Sequence, residues 1–246
     1  MVNKNPRIAL VGLGYWGKNI ARNLYALNVL NAICDNSAVN LKKYKNLYPD
    51  INYYSNIDSL LESDIEAIVI ATPAITHGDL VKKALDANKH VFVEKPLCLD
   101  VNEGSNLVDL AKKKKLKLMV GHLLLYHPAF IALKKLIISG GIGNIRYIYS
   151  NRLSLGKLRK EENALWSFAP HDISMILSLL EREPLKINAF GGYYLTENVA
   201  DTTITIMEFS KGVKAHVYVS WLHPFKDQRL VVVGDKGMAT FIDIEE

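Results

Sequence analysis

The chain has 246 residues, 49% of them hydrophobic and 22% charged, with a formal net charge of +5. That length allows one large domain or two medium ones, and the composition excludes a disordered or fibrous chain. Two cysteines, Cys34 and Cys98, without CxxC spacing exclude a disulfide framework or a zinc site and read as small packing residues.

In chain order, the stretch from Met1 to Pro6 has no apolar signal region. Ile8-Ala9-Leu10-Val11 then reads as a buried strand, followed at once by Gly12-Leu13-Gly14-Tyr15-Trp16-Gly17 and a helix to about Ala26. This is GxGxxG spacing at a strand-to-helix turn. In a dinucleotide site Gly12 makes the tight turn, Gly14 lets the backbone approach a pyrophosphate, and Gly17 lets the helix pack close to the strand. The free N–H groups of the helix start complete a phosphate site. Val29 to Cys34 reads as a second strand, ended by Asp35, 21 residues after Gly14. An acid there accepts hydrogen bonds from ribose hydroxyls and repels a 2′-phosphate, which predicts NAD rather than NADP as cofactor.

A helix over 38–47, a short strand around Tyr53 and a helical turn at 57–61 come next. Ala67 to Ala71 is a continuous apolar strand, closed by Thr72-Pro73, and His77 to Ala87 is an amphipathic helix. His90 to Val93 is a strand ended by Glu94-Lys95-Pro96. A helix over 101–114 and a strand over 116–120 lead to Gly121-His122. The basic run Lys112-Lys113-Lys114-Lys115 falls at the end of that helix, where cations complement the dipole, so it is read as a solvated helix end and not as a nucleic-acid patch. The apolar region from Leu116 to Ile138 is broken by His122, His127, Pro128 and several lysines, so no membrane span is expected, and the protein is expected in the cytoplasm.

Strands alternating with helices predict a doubly wound parallel sheet of α/β class over residues 1–122. Ligands bind such sheets at the carboxyl ends of the strands, where Gly12, Asp35, Thr72, Glu94, Lys95 and His122 fall. Beyond His122 the pattern changes. A helix over 128–139, a long strand over 145–155 and a helix beginning near His171 precede four strand-like segments in a row and a fifth at 238–242. Such a succession predicts an α+β domain over 123–246 with an open antiparallel sheet.

Lys95 stands at the tip of a buried strand, where a partly desolvated amine can exchange a proton with a substrate hydroxyl. His171, after Ala169-Pro170, is the side-chain type best suited to proton transfer near neutral pH. Arg152 on the long strand and Tyr126 are candidate substrate contacts, with a solvent-facing strand arginine as the plain alternative for Arg152. Trp166 and Trp221 read as core tryptophans. No metal site is expected.

These motifs, from Gly12–Gly17 through Ala71-Thr72-Pro73 with His77, Glu94-Lys95-Pro96 and Gly121-His122 to Pro170-His171-Asp172, come in the order of the Gfo/Idh/MocA oxidoreductases, which the chain resembles over essentially its whole length. The resemblance implies a Rossmann domain, a sheet-based substrate domain and NAD(P)-dependent oxidation of sugars or cyclitols. It implies that Lys95 and His171 handle the hydroxyl proton. It also implies that Gly12, Gly14, Tyr15, Trp16, Gly17, Asp35, Thr72, Pro73, His77, Glu94, Lys95 and His122 line NAD or its mouth, with Tyr126, Arg152 and His171 toward substrate. The phrase from Leu165 to Ser174 looks most like the branch oxidising C3 of UDP-N-acetylhexosamines or their uronic acids ahead of polysaccharide biosynthesis. Alternatives are a free sugar or cyclitol as substrate, a non-catalytic NAD or sugar sensor, and a glycosidase using NAD transiently. Two departures stand. Ser167 occupies the position of an acid found in many members. The chain is also shorter than members usually are, from which a substrate domain lacking its final strands is expected. The family pattern implies a homodimer or homotetramer, joined through the open face of the sheet.

Overall fold

A computed structural model describes residues 5–155 and 162–243. The chain divides into two compact units, one ending at Gly121 and the other beginning at His122. No helix among the described residues is long and apolar enough to cross a membrane.

In the first unit the order is β1 (Ile8–Val11), α1 (Gly17–Ala26), β2 (Leu30–Cys34), α2 (Ala38–Leu47), β3 (Asn52–Tyr54), α3 (Ile57–Leu61), β4 (Ala67–Ile70), α4 (His77–Asp86), β5 (His90–Val93), α5 (Val101–Lys113) and β6 (Leu118–Val120). The strands form one parallel sheet in the order β3-β2-β1-β4-β5-β6. Successive side chains of a strand point to opposite faces. Ala9, Val11, Ile68 and Ile70 therefore pack with Val81, Leu85 and Leu107 on one side. Leu10, Ile33 and Val69 pack with Ala21, Leu41 and Tyr44 on the other. Both faces are covered, which is why these strands read as unbroken apolar runs. The chain leaves β1 toward one edge and returns at β4 toward the other, so the crevice beyond the carboxyl ends of β1 and β4 is the expected ligand position. Cys34 and Cys98 are both buried free thiols, as expected of packing residues. Burial, and then the charge of Asp35, pushes the Cys34 thiol up to about 11.

The second unit holds α6 (Pro128–Ile138), β7 (Ile145–Leu155), α7 (Ala164–Leu180), β8 (Lys186–Gly192), β9 (Thr202–Glu208), β10 (Lys214–Ser220), β11 (Leu222–Gly234) and β12 (Met238–Ile242). Its sheet runs β12-β11-β7-β10-β9-β8. One face packs on Phe130, Met175, Ile176 and Leu179 from the two helices. On the opposite face Phe190 pairs in register with Ile204, and Ile204 with Tyr218, and Tyr149 stacks on His216.

Two expectations need correcting. The sheet is mixed, because β7 enters between β10 and β11 and runs parallel to β10 while every other pair is antiparallel. The antiparallel reading holds for β8–β9, β9–β10, β11–β12 and β7–β11, and fails where β7, separated from the later strands by α7, lies beside β10. Helix α7 begins at Ala164, not near His171, and carries Pro170 in its interior. Its start is fixed by Asn163, whose side chain accepts from the Trp166 N–H at 3.1 Å.

Candidate active site

The glycine turn between β1 and α1 has a closed side and an open side. Gly12 sits at φ +98°, and a Cβ there would lie 2.7 Å from the Ala71 carbonyl oxygen. A Cβ on Gly17 would run into the Gly12 carbonyl. Around Gly14 a Cβ would meet nothing within 4 Å. So Gly12 and Gly17 serve the protein's own packing, and Gly14 keeps a face free. Helix α1 starts with no side-chain cap and no acid in its first turn, leaving its positive end unneutralised. This arrangement fits the pyrophosphate of a dinucleotide. Tyr15 and Trp16 stand exposed on the turn, Tyr15 at 83%.

Asp35 follows β2 and is half-buried. One carboxylate oxygen accepts from the Leu13 N–H at 2.6 Å, and the other accepts from the Ser37 N–H at 2.8 Å and the Asn40 amide at 3.3 Å. A carboxylate has about four acceptor positions, so room remains for a ribose hydroxyl.

The residues that follow β4 and β5 stand at the carboxyl ends of those strands, on the side of the sheet where a ligand is expected. Thr72 is half-buried, its hydroxyl 2.7 Å from that of Thr76, and Pro73 is exposed. His77 departs from the expected cofactor contact. It is 1% exposed, with Nδ1 2.6 Å from the Pro96 carbonyl and Nε2 2.9 Å from the Thr72 carbonyl. Its ring ties the loop after Lys95 to the loop after β4. Glu94 accepts hydrogen bonds from the Trp16 indole and the Lys95 backbone N–H, and its carboxyl lies 3.1 Å from where a Gly121 Cβ would stand. Burial raises the Glu94 pKa above the usual range against the opposing pull of those bonds. Lys95 is half-buried at the bend that ends β5.

In the second unit His171 lies on α7, half-buried, with Asp172 next to it fully buried. Arg152 corrects a sequence expectation. It is 6% exposed and points inward, its Nε 2.7 Å from Asp172 and its Nη1 3.0 Å from Asp243. The guanidinium is not a solvent-facing charge, because Nε and Nη2 face the buried Asp172 carboxylate and Nη1 the half-buried Asp243 carboxylate. The Asp172 carboxylate also accepts from the Ser150 hydroxyl at 2.6 Å. Ser150 and Arg152, two apart on β7, share the face that meets α7. Sequence reading missed this group, and the spacing of two on one strand was its only local signal. Ser167 is buried, and His122 opens the unit as a half-buried residue before a short 3-10 turn at Leu123–Tyr126. Tyr126 is 62% exposed. Trp221 is a core residue as expected, but Trp166 is 40% exposed.

Residues 6–122 match the model of the Gfo/Idh/MocA oxidoreductase family's NAD-binding Rossmann fold, and residues 130–240 match that family's C-terminal domain. The chain belongs to the Gfo/Idh/MocA family. Its first unit is accordingly the family's NAD-binding domain. Among relatives, the UDP-N-acetylglucosamine 3-dehydrogenase of Acidithiobacillus ferrooxidans is 28% identical over 87% of this chain and 66% of its own length. The inositol 2-dehydrogenase of Rhizobium meliloti is also 28% identical, over 71% of this chain and 56% of its own. The chain thus spans just under two thirds of the length of the first of these relatives and little over half of the second. A probable dehydrogenase from Thermotoga maritima superposes with a TM-score of 0.91 at 25% identity, covering 98% of this chain and 76% of that one.

Proposed function

We propose that this family member is an NAD-dependent dehydrogenase that oxidises a secondary hydroxyl of a sugar to a ketone, at C3 of a UDP-N-acetylhexosamine or its uronic acid. The observation that carries the dinucleotide half is the turn at Gly12–Gly17, closed at Gly12 and Gly17, open at Gly14, and braced by Asp35. NAD supplies a hydride acceptor when bound. The chain's own part is to hold phosphates at the start of α1, to present Asp35 to the ribose, and to move the hydroxyl proton. That proton is assigned to Lys95 at the end of β5 and to His171 on α7, the positions that match the family motifs.

The phrase from Leu165 to Ser174, with the identity to a UDP-N-acetylglucosamine 3-dehydrogenase, supports the nucleotide-sugar reading. A second reading, a neutral cyclitol, is favoured by one specific observation: the withdrawal of Arg152 into the interior removes the cation expected to meet a diphosphate or carboxylate. The equal identity to an inositol dehydrogenase agrees with it. A homodimer or homotetramer is proposed through the exposed sheet face that carries Phe190 and Ile204.

Thermal stability separates the two substrate readings, since a ligand that binds only the native state raises it. With NAD present, UDP-N-acetylglucosamine or its uronic acid should raise Tm while myo-inositol and glucose do not. A shift from myo-inositol alone would transfer the assignment to the cyclitol reading.

A further inference from the structure

The buried charges behind His171 belong to no binding role described so far. Arg152 lies on β7, an interior strand flanked by β11 and β10, and it engages Asp172 at two points, Nε to Oδ2 at 2.7 Å and Nη2 to Oδ1 at 3.4 Å. Ser150 adds its hydroxyl at 2.6 Å, and Asp243, just past β12, takes the remaining face of the guanidinium. The side chains of Arg152 and Asp172 are 7% and 1% exposed. Apolar residues of similar volume commonly stabilise a core at least as well as such a pair, so burial energy alone does not account for it. What the pair provides is direction, because its hydrogen bonds form in one orientation only.

That direction matters at this point of α7. Pro170 has no N–H for the Trp166 carbonyl, so the helix lacks one of its own hydrogen bonds immediately before His171. A helix interrupted there can bend or turn about its axis. Asp172 is tied to the sheet two residues after the proline. One residue back along a helix of 3.6 residues per turn, His171 projects about 100° around the axis from that anchor.

We infer that Asp172 and Arg152 are positioning residues for His171, their buried tie to β7 fixing the rotation of α7 beside the proline. The inference rests on the proposed proton role of His171, and its test separates the two. In protein labelled at its seven histidines, the His171 ring signal is assigned by its loss in His171→Ala. In Asp172→Asn, without cofactor, that signal should move or split while those of His77 and His90 stay. Turnover is read as NADH formation with whichever of UDP-N-acetylglucosamine or myo-inositol the wild type oxidises. In Asp172→Asn kcat should fall at least about tenfold while the Kd for NAD, measured by calorimetry, stays within about twofold. The paired apolar variant Arg152→Met with Asp172→Leu should recover thermal stability and remain slow. An unmoved ring signal in Asp172→Asn, or wild-type kcat in the apolar pair, would overturn the inference. If His171→Ala itself turns over like wild type, the proton role of His171 falls. The tie is then judged by the ring signal alone.

Discussion

The backbone N–H of Leu13 donates to the Asp35 carboxylate across 2.6 Å, joining the glycine turn to the end of β2. The acid expected to meet the ribose is therefore also the brace of the phosphate turn. Its second oxygen is held by Ser37 and Asn40, which leaves the carboxylate little freedom to swing away from a 2′-phosphate. NAD should bind at least about tenfold more tightly than NADP, a difference of about 1.4 kcal/mol. Asp35→Ala should narrow that ratio and also weaken NAD itself, because the Leu13 bond is lost. Calorimetry with both cofactors checks this, and equal affinities in the wild type would contradict it.

The three glycines should separate by role. Gly14→Ala introduces a methyl into open space, so stability should stay within about 0.5 kcal/mol while NAD affinity drops. Gly17→Ala drives its methyl into the Gly12 carbonyl and should destabilise by about 1–3 kcal/mol even without cofactor. Denaturant unfolding beside NAD titration distinguishes them. Loss of stability in Gly14→Ala would show that the open face is filled by protein.

Lys95→Ala should leave NAD binding nearly intact while kcat falls by about 10² to 10⁴, the range for loss of acid–base catalysis. Steady-state kinetics with a parallel Kd for NAD reads both quantities. A variant with wild-type kcat removes the lysine from the mechanism.

Glu94 gives a pH-dependent prediction. Its pKa is raised in the fold, first by burial, so folding disfavours the charged carboxylate relative to the unfolded chain. Its contribution to stability is complete below the unfolded glutamate value and is lost as pH rises through the raised folded value. Glu94→Gln keeps an acceptor for the Trp16 indole and removes the buried charge. It should therefore raise Tm at pH 7 to 8, with the gain vanishing below about pH 4.5. A gain that persists unchanged into acid would place its cause elsewhere than the carboxylate.

Much of this architecture was legible in the residues. The parallel sheet was readable because both faces are covered, so β1, β4 and β5 stand out as short apolar runs punctuated by glycine, Thr72-Pro73 and Glu94-Lys95-Pro96. The start of α7 was hidden by Pro170, since a proline commonly opens a helix, and Asn163 was the cap that marked the true beginning. The parallel pairing of β7 with β10 depends on tertiary placement across α7, which no local pattern encodes. The same reason hid the fate of Arg152. Its partners lie 20 and 91 residues away, and a strand arginine without visible partners reads as exposed or ligand-binding. His77 gave a motif position but not its use, because carbonyl acceptors such as Thr72 and Pro96 carry no side-chain signature.

On the proposed function, a hydride leaves a sugar carbon for NAD on this chain. This transfer is tested most directly by incubating the protein with NAD and UDP-N-acetylglucosamine deuterated at C3, then examining the NADH formed. Deuterium is expected in the nicotinamide of NADH, with a 3-keto sugar in equal amount and loss of both in Lys95→Ala. NAD that binds but stays oxidised, with deuterium retained in UDP-N-acetylglucosamine and in a parallel sample of myo-inositol deuterated at its ring carbons, would contradict it.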